Sequence, residues 1–309
     1  MMIKNKRYFI LTVDTEGDNL WRYKGGEIGT KNALFLPRFQ QLCEKYGFKP
    51  VYLTNYEMIN SDDFVRFAKN ALSRKACEVG IHLHAWNNPP YSELPHRHDQ
   101  NSYLIEYPAN VRREKFKVLY NLISEKIGTP PISHRAGRWA MDDDYFKMLS
   151  EFGIKVDCSI TPFISWDKAP GESIDAGSDY SKSPYQVHKV GNVLEVPMSI
   201  RRKRYLLDGN FKHKVKTCLF GHNLWMRPAM STLKEMKYLI VEISKEKDVD
   251  FVEFMIHSSE LMPNGSPYFR TAEDVEREYR MIESVFEYAK SKGFEGITLA
   301  DYYSIKTAK

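Results

Sequence analysis

Within residues 8 to 86, three strand-like runs are joined by two helical segments, and that alternation confines the chain to a parallel sheet. A parallel pair needs a long return segment where an antiparallel pair needs only a turn. Tyr8, Phe9, Ile10, Leu11 and Val13 form the first run, apolar, aromatic and β-branched, as in a strand buried on both faces. LPRFQQLCEKYGF follows with Phe39, Leu42, Cys43 and Tyr46 at helical spacing and Gly47 as its stop. PVYLTN, residues 50 to 55, predicts the second strand. Ser61 then caps a helix over DDFVRFAKNALSRKA, with acids in its first turn and bases in its last, as the helix dipole favours. EVGIHLHAW, residues 78 to 86, is the third strand.

The alternation continues beyond a long loop at 86 to 109. A helix opens at Asn110 and buries Val118, Leu119, Leu122 and Ile123 before GTPP ends it. ISHRAGRWA reads as a strand, DDDYFKMLSEFG as a helix and IKVDCSI as a strand. From 161 to 230 the periodicity weakens into turn-rich sequence and a hairpin, QVHKVGNVLEVP, about Gly191 and Asn192, which predicts an insertion. STLKEMKYLIVEISKEK restores a helix, and DFVEFMIH is a strand ending in His257. Thr271 with Asp274 resembles a capping box for a helix from about 272 to 292, closed by Gly293, and GITLADYY is expected to be the last strand. Seven or eight such units with no linker predict one α/β domain over residues 1 to 309, ample for a sizeable core.

Composition narrows the class of function. Hydrophobic residues make up 42% and charged residues 28%, ordinary globular usage, and a net charge of +5 is too mild for a nucleic-acid binder. The four cysteines are widely spaced without a CxxC pair, as free thiols in a reducing compartment would be. The basic and apolar N-terminal stretch stops at Asp14 with no small-residue cleavage site, so it reads as a strand rather than a signal peptide. No run approaches the roughly 18 apolar residues of a membrane span. A cytoplasmic protein is expected.

Two places concentrate chemistry. In an extended backbone Asp14 and Glu16 share one face at the carboxyl end of the first strand, where parallel α/β folds build their sites. His82 and His84 also share a face, and two imidazoles at that spacing can converge on one metal at about 2.0 to 2.1 Å, with a carboxylate from a neighbouring strand completing the set. The long loop is a candidate functional segment; its His96 and His98 read as solvated, with substrate contact the sharper alternative. RRKRY at 201 to 205, with Lys212, Lys214 and Lys216, reads as a solvated face or as a patch for a phosphate- or lipid-linked sugar.

TVDTEGD, EVGIHLHAW, HRAGRWA and FMIHSSE, in that order, resemble the polysaccharide deacetylase family, the NodB-homology group of carbohydrate esterase family 4, over about residues 8 to 300. The DTEGD and HLHAW forms with RAGR between them are similar to the WalW-like branch met near surface-polysaccharide genes. The resemblance implies a distorted (β/α) barrel of about seven strands and metal-dependent removal of acetyl or other small acyl groups from amino sugars or acylated glycans. It implies Asp14 as general base, Glu16 as carboxylate ligand, His82 as the first metal histidine, Arg135 as the residue orienting the catalytic acid and His257 as general acid. Thr15 separates two acids that are adjacent in the family, so the roles of Asp14 and Glu16 are exchangeable or shared. Trp86 stands where the second histidine is usual, and His84 is its substitute on strand geometry. Met255 takes the place of a leucine lining the acyl pocket, and Asp157 weakly matches the carboxylate partner of His257. Zn²⁺ is the first choice of metal. The alternatives are a silent sugar-binding relative that has lost its metal through Trp86, an iron oxygenase built on the same two-histidine, one-carboxylate set, and a phosphosugar hydrolase.

Overall fold

In the computed structural model, the described residues are 6–18, 20–23, 25–94, 101–173, 175–204 and 221–308. The apolar run at the start becomes β1 (Arg7–Thr15), and Phe39 and Cys43 pack α1 (Leu36–Lys45) onto the sheet before β2 (Pro50–Thr54). Asn55 caps the short α2 (Tyr56–Asn60) and Ser61 caps α3 (Asp62–Ser73), each side-chain oxygen accepting a first-turn N–H. Next come β3 (Glu78–Leu83), α4 (Ala109–Ile127) stopped by left-handed Gly128, β4 (Ser133–Ala136), α5 (Asp143–Glu151) capped by Asp142, and β5 (Val156–Asp157). The expected hairpin is β6 (His188–Val190) with β7 (Val193–Glu195), and β8 (Ile200–Lys203) pairs antiparallel with β9 (His222–Trp225). A Thr232–Glu235 capping box opens α6 (Leu233–Lys245), then β10 (Phe251–His257). The expected Thr271–Asp274 box opens α7 (Ala272–Ser291), followed by β11 (Phe294–Ile297) and α8 (Leu299–Thr307).

The sheet order is β10-β1-β2-β3-β4-β5-β7-β6, and seven of these strands are parallel, β6 alone running against its neighbour. β1 is the axis of the fold: β10 lies along its whole length on one side, while β11 and then β2 share the other. Met198 N donates to Ile160 O (2.9 Å), Met226 N to Ser199 O (3.0 Å) and Met255 N to Met226 O (3.1 Å), so irregular backbone carries hydrogen bonding from the end of β5 round to β10. A curled, mostly parallel sheet with helices outside it is the distorted (β/α) barrel the sequence leads one to expect. Part of the segment read as an insertion belongs to it, because β7 pairs in parallel with β5.

The last expected strand is shorter than the sequence suggests. It stops at Ile297, and LADYY is helical, because Thr298 Oγ1 accepts from Asp301 N (3.1 Å) and starts a helix whose Tyr302 hydroxyl donates to Asp250 (2.7 Å). Local capping outweighs the aromatic, strand-like composition there. Within the described residues no helix is long and apolar enough to cross a membrane.

Candidate metal centre

Adjacent strands deliver the chemistry to one end of the sheet. Asp14 on β1 is in register with His257 on β10, and His82 on β3 with Arg135 on β4. Glu16 and His84 follow immediately after their strands, where the chain leaves the sheet. The sequence-predicted Asp14, Glu16, His82, His84, Arg135 and His257 are therefore all brought together, and all six are buried.

Glu16, His82 and His84 offer ligand atoms that all lie within 4.8 Å of one another. Glu16 Oε2 is 2.9 Å from His84 Nε2 and 3.5 Å from His82 Nε2. His82 Nδ1 is 3.0 Å from the backbone oxygen of Arg135. A carbonyl only accepts, so Nδ1 carries the hydrogen and the Nε2 lone pair faces the acids, the arrangement by which second-sphere contacts orient metal-binding histidines. Burial on its own would raise the Glu16 pKa, but the neighbouring imidazoles of His82 and His84, and then His257, hold it well below the ordinary range. Two imidazoles and one ionised carboxylate, buried and converging, fit a divalent cation of the zinc or iron type. His84 thus occupies the converging position, while Trp86, where the sequence resemblance would put a second histidine, lies 5.6 Å from the His84 ring and stacks on Tyr23 at 4.9 Å.

Asp14 is held differently. Its Oδ1 accepts from Arg135 Nη1 at 2.6 Å, and Oδ2 faces His82 Nε2 (3.8 Å) and His257 Nε2 (3.9 Å). Burial again opposes ionisation, but the Arg135 guanidinium, then His82 and His257, outweighs it, so Asp14 is held below the usual carboxylate range. Arg135 is itself fully buried, and its Nη2 donates to Glu253 (2.6 Å) and Thr12 (2.9 Å) and its Nε to the Cys158 carbonyl (3.1 Å).

His257 closes the opposite side, its Nε2 3.8 Å from Glu16 Oε1. Arg227 Nη2 donates to its Nδ1 at 3.0 Å and to Glu260 Oε1 at 3.1 Å, while Glu260 Oε2 accepts the His257 backbone N–H. Because an arginine can only donate, Nδ1 accepts in the neutral ring and Nε2–H points into the pocket. Asp157, weakly matched in sequence to the partner of His257, is instead paired with His134 Nδ1 at 2.6 Å, one strand pair away. The sequence reading missed Arg227 and Glu260. Glu260 stands three residues after His257 within HSSE and was legible as an N-terminal turn acid; Arg227 lies 30 residues away with no local signal.

These groups line a pocket of about 360 Å³ walled by Trp21, Trp86, Trp139, Trp166, Tyr103 and Tyr268. The basic run outside it is largely paired: Arg201 forms a two-bond ion pair with Glu246, and Lys203 one with Glu242 at 2.8 Å. That pairing removes those two cations from a phosphate-reading patch. Tyr205, Lys212, Lys214 and Lys216, like His96 and His98, lie outside the described residues.

No family model matches the chain, and no curated protein matches its sequence. Among solved structures it is similar to the 4-α-glucanotransferase from Thermococcus litoralis, with a TM-score of 0.56 at 12% identity over 97% of this chain and 40% of that one. Looser likenesses, both at a TM-score of 0.47, are to the Xyl-CE4 domain of a multidomain xylanase from the hindgut metagenome of Trinervitermes trinervoides (10% identity, 99% of this chain, 93% of that one) and to the peptidoglycan deacetylase PdaC from Bacillus subtilis (11% identity, 98% and 93%). At 12% identity the glucanotransferase likeness is one of fold, and this chain spans 40% of that protein's length.

Proposed function

We propose that the chain is a metal-dependent carbohydrate deacetylase, hydrolysing an acetyl or other small acyl group on an amino sugar or acylated glycan. The observation that carries this reading is the joint placement, in one aromatic-walled pocket, of the Glu16–His82–His84 donor set between an arginine-held carboxylate and an imidazole N–H. A divalent metal held by Glu16, His82 and His84, with zinc the first choice, would supply Lewis acidity for an acyl carbonyl and for water.

The protein groups divide the remaining work. Asp14 is ionised, its Oδ1 fixed by Arg135 and its Oδ2 open toward the pocket, so it can take a proton from the attacking water. Arg135 keeps that carboxylate charged and aimed. His257 presents Nε2–H from the opposite side to the leaving nitrogen or oxygen. In the imidazolium form the Glu260 carboxylate, with Oε1 3.6 Å from Nδ1, balances the charge, and loss of the Nε2 proton to the leaving group returns a neutral ring. Aromatic walls supply faces on which sugar rings stack while their edges stay polar. The same donor set suits iron, but an acid–base pair flanking it has no use in an oxygenase.

A role in surface-polysaccharide synthesis, as in the WalW-like branch, and a cytoplasmic location belong to the same proposal. Cys43, Cys77 and Cys158 support the latter as buried free thiols. The test is acetate release from a panel of N- and O-acetylated oligosaccharides. The expected result is turnover by wild type that a chelator abolishes and zinc restores, and that Asp14→Asn lowers by at least about a hundredfold, the low end for a general base. Sugar binding with no acetate release after zinc addition would replace this reading with the silent sugar-binding relative.

A further inference from the structure

Arg138 lines the same pocket, and no carboxylate among the described residues lies within ion-pair distance of it. Asp14 is paired with Arg135, and Arg227 with Glu260, whereas among the described residues Arg138 forms no ion pair. Its Nη1 donates to the Asn101 carbonyl and its Nη2 to the Pro170 carbonyl at 2.7 Å, and the guanidinium lies 4.0 Å over the Tyr103 ring. Glu106, the acid whose field it feels, has both oxygens engaged by the backbone N–H groups of Tyr103, Glu172 and Ser173. A guanidinium has five N–H groups, and the two carbonyls account for two of them. Dipoles and a ring satisfy hydrogen bonds but leave a unit charge in a half-buried, aromatic setting.

The backbone that carries Arg138 turns against a candidate metal ligand. Arg138 and Trp139 both adopt left-handed conformations (φ +56° and +63°), which non-glycine residues take at a cost of about 1 kcal/mol or more each and which gather at ligand sites. Gly137 sets the turn against His84: a Cβ there would lie 2.7 Å from His84 Nδ1 and 2.5 Å from Leu83 O. The turn that carries Arg138 is therefore packed against a candidate metal ligand, and Arg138 and that ligand line the same pocket.

We propose that Arg138 reads an anion on the substrate: the glycan carries a carboxylate or phosphate on the acylated sugar or its immediate neighbour. The inference rests on the glycan reading above and narrows it. Arginine suits this task because its planar fork binds either oxyanion through two parallel hydrogen bonds.

Calorimetric titration of the intact protein with chitotetraose, a hyaluronan tetrasaccharide and N-acetylglucosamine 1-phosphate tests it. These probes are respectively neutral, carboxylate-bearing and phosphate-bearing, so the preferred one names the source of the anion. Wild type is expected to bind one anionic probe about tenfold more tightly than the neutral one, the scale of one charge-assisted hydrogen bond. Arg138→Gln, which keeps a donor for the loop carbonyls, should bring that ratio to within about twofold, and Arg138→Lys should retain part of it. A role confined to clasping the two loops would weaken all probes alike and leave the ratio intact, which would overturn the proposal. Equal wild-type affinities would also overturn it while leaving the glycan reading standing, and failure to bind any probe would overturn both. The wild-type ratio and the lysine variant decide the matter should the glutamine variant fail to fold.

Discussion

Asp14 and Glu16 stand two residues apart yet sit in different fields. A guanidinium answers Asp14, whereas two imidazoles answer Glu16, and this favours Asp14 as base and Glu16 as ligand. Arg135→Met would leave Asp14 and Glu253 buried without their cation, and breaking a buried pair in this way costs about 3–5 kcal/mol. A urea midpoint that barely moves would contradict that account of the network. Glu57 offers a test by pH. Burial pushes its carboxyl up to about 7, with Asn87 Nδ2 donating to it at 3.0 Å. A raised folded-state pKa means the folded protein holds the proton more tightly, so this stability is complete below the unfolded value near 4.5 and is lost as pH rises through 7. The loss is on the order of 3 kcal/mol by pH 8. Glu57→Gln should abolish that component, so wild type and variant should diverge in urea melts between pH 5 and pH 8; parallel profiles would count against it. The residues of the site that strand periodicity places, Asp14, Glu16, His82 and His84, were legible in the sequence. Arg227 was not, because it meets His257 from the neighbouring irregular segment, where Met226 O accepts from Met255 N, and no spacing encodes that contact.

At the level of elements, capping chemistry was the most legible part of the chain, and it also corrected the reading at Thr298, where a local cap turned a supposed strand into α8. The ends of β3 and β4 matter most for the site, since the chain turns there and the alternation used to place His84 ceases at Leu83. Gly137→Ala would press a methyl group onto His84 and the Leu83 carbonyl. We expect zinc affinity to fall by at least about tenfold, as for lost second-sphere support, while thermal stability changes little; unchanged affinity would show that the turn tolerates the displacement. The loop carrying Trp86 is pinned by Lys115, buried on α4, whose ammonium donates to the carbonyls of Ala85 (2.8 Å), Asn88 (2.8 Å) and Pro90 (2.7 Å). Lys115→Met would leave three acceptors unmet. Hydrogen exchange in residues 85 to 94 should quicken far more than in β1, and equal protection in variant and wild type would refute the pin.

Across the whole molecule, the parallel order of β10, β1, β2, β3 and β4 is what makes a site from residues as distant as Asp14 and His257. That order follows from the β–α alternation visible in the sequence. The closure through the segments at 198–199 and 226 does not, because irregular backbone bonds leave no periodic trace. Nor do the aromatic walls, which come from loops whose composition alone is no different from that of surface turns. The central claim is that this end of the sheet holds a metal. Elemental analysis of purified wild type beside the double variant His82→Ala, His84→Ala tests it most directly. The account predicts one zinc per chain in wild type, or on zinc addition, and essentially none in the variant; a wild type that binds no divalent metal, or a variant that binds it equally well, would contradict it.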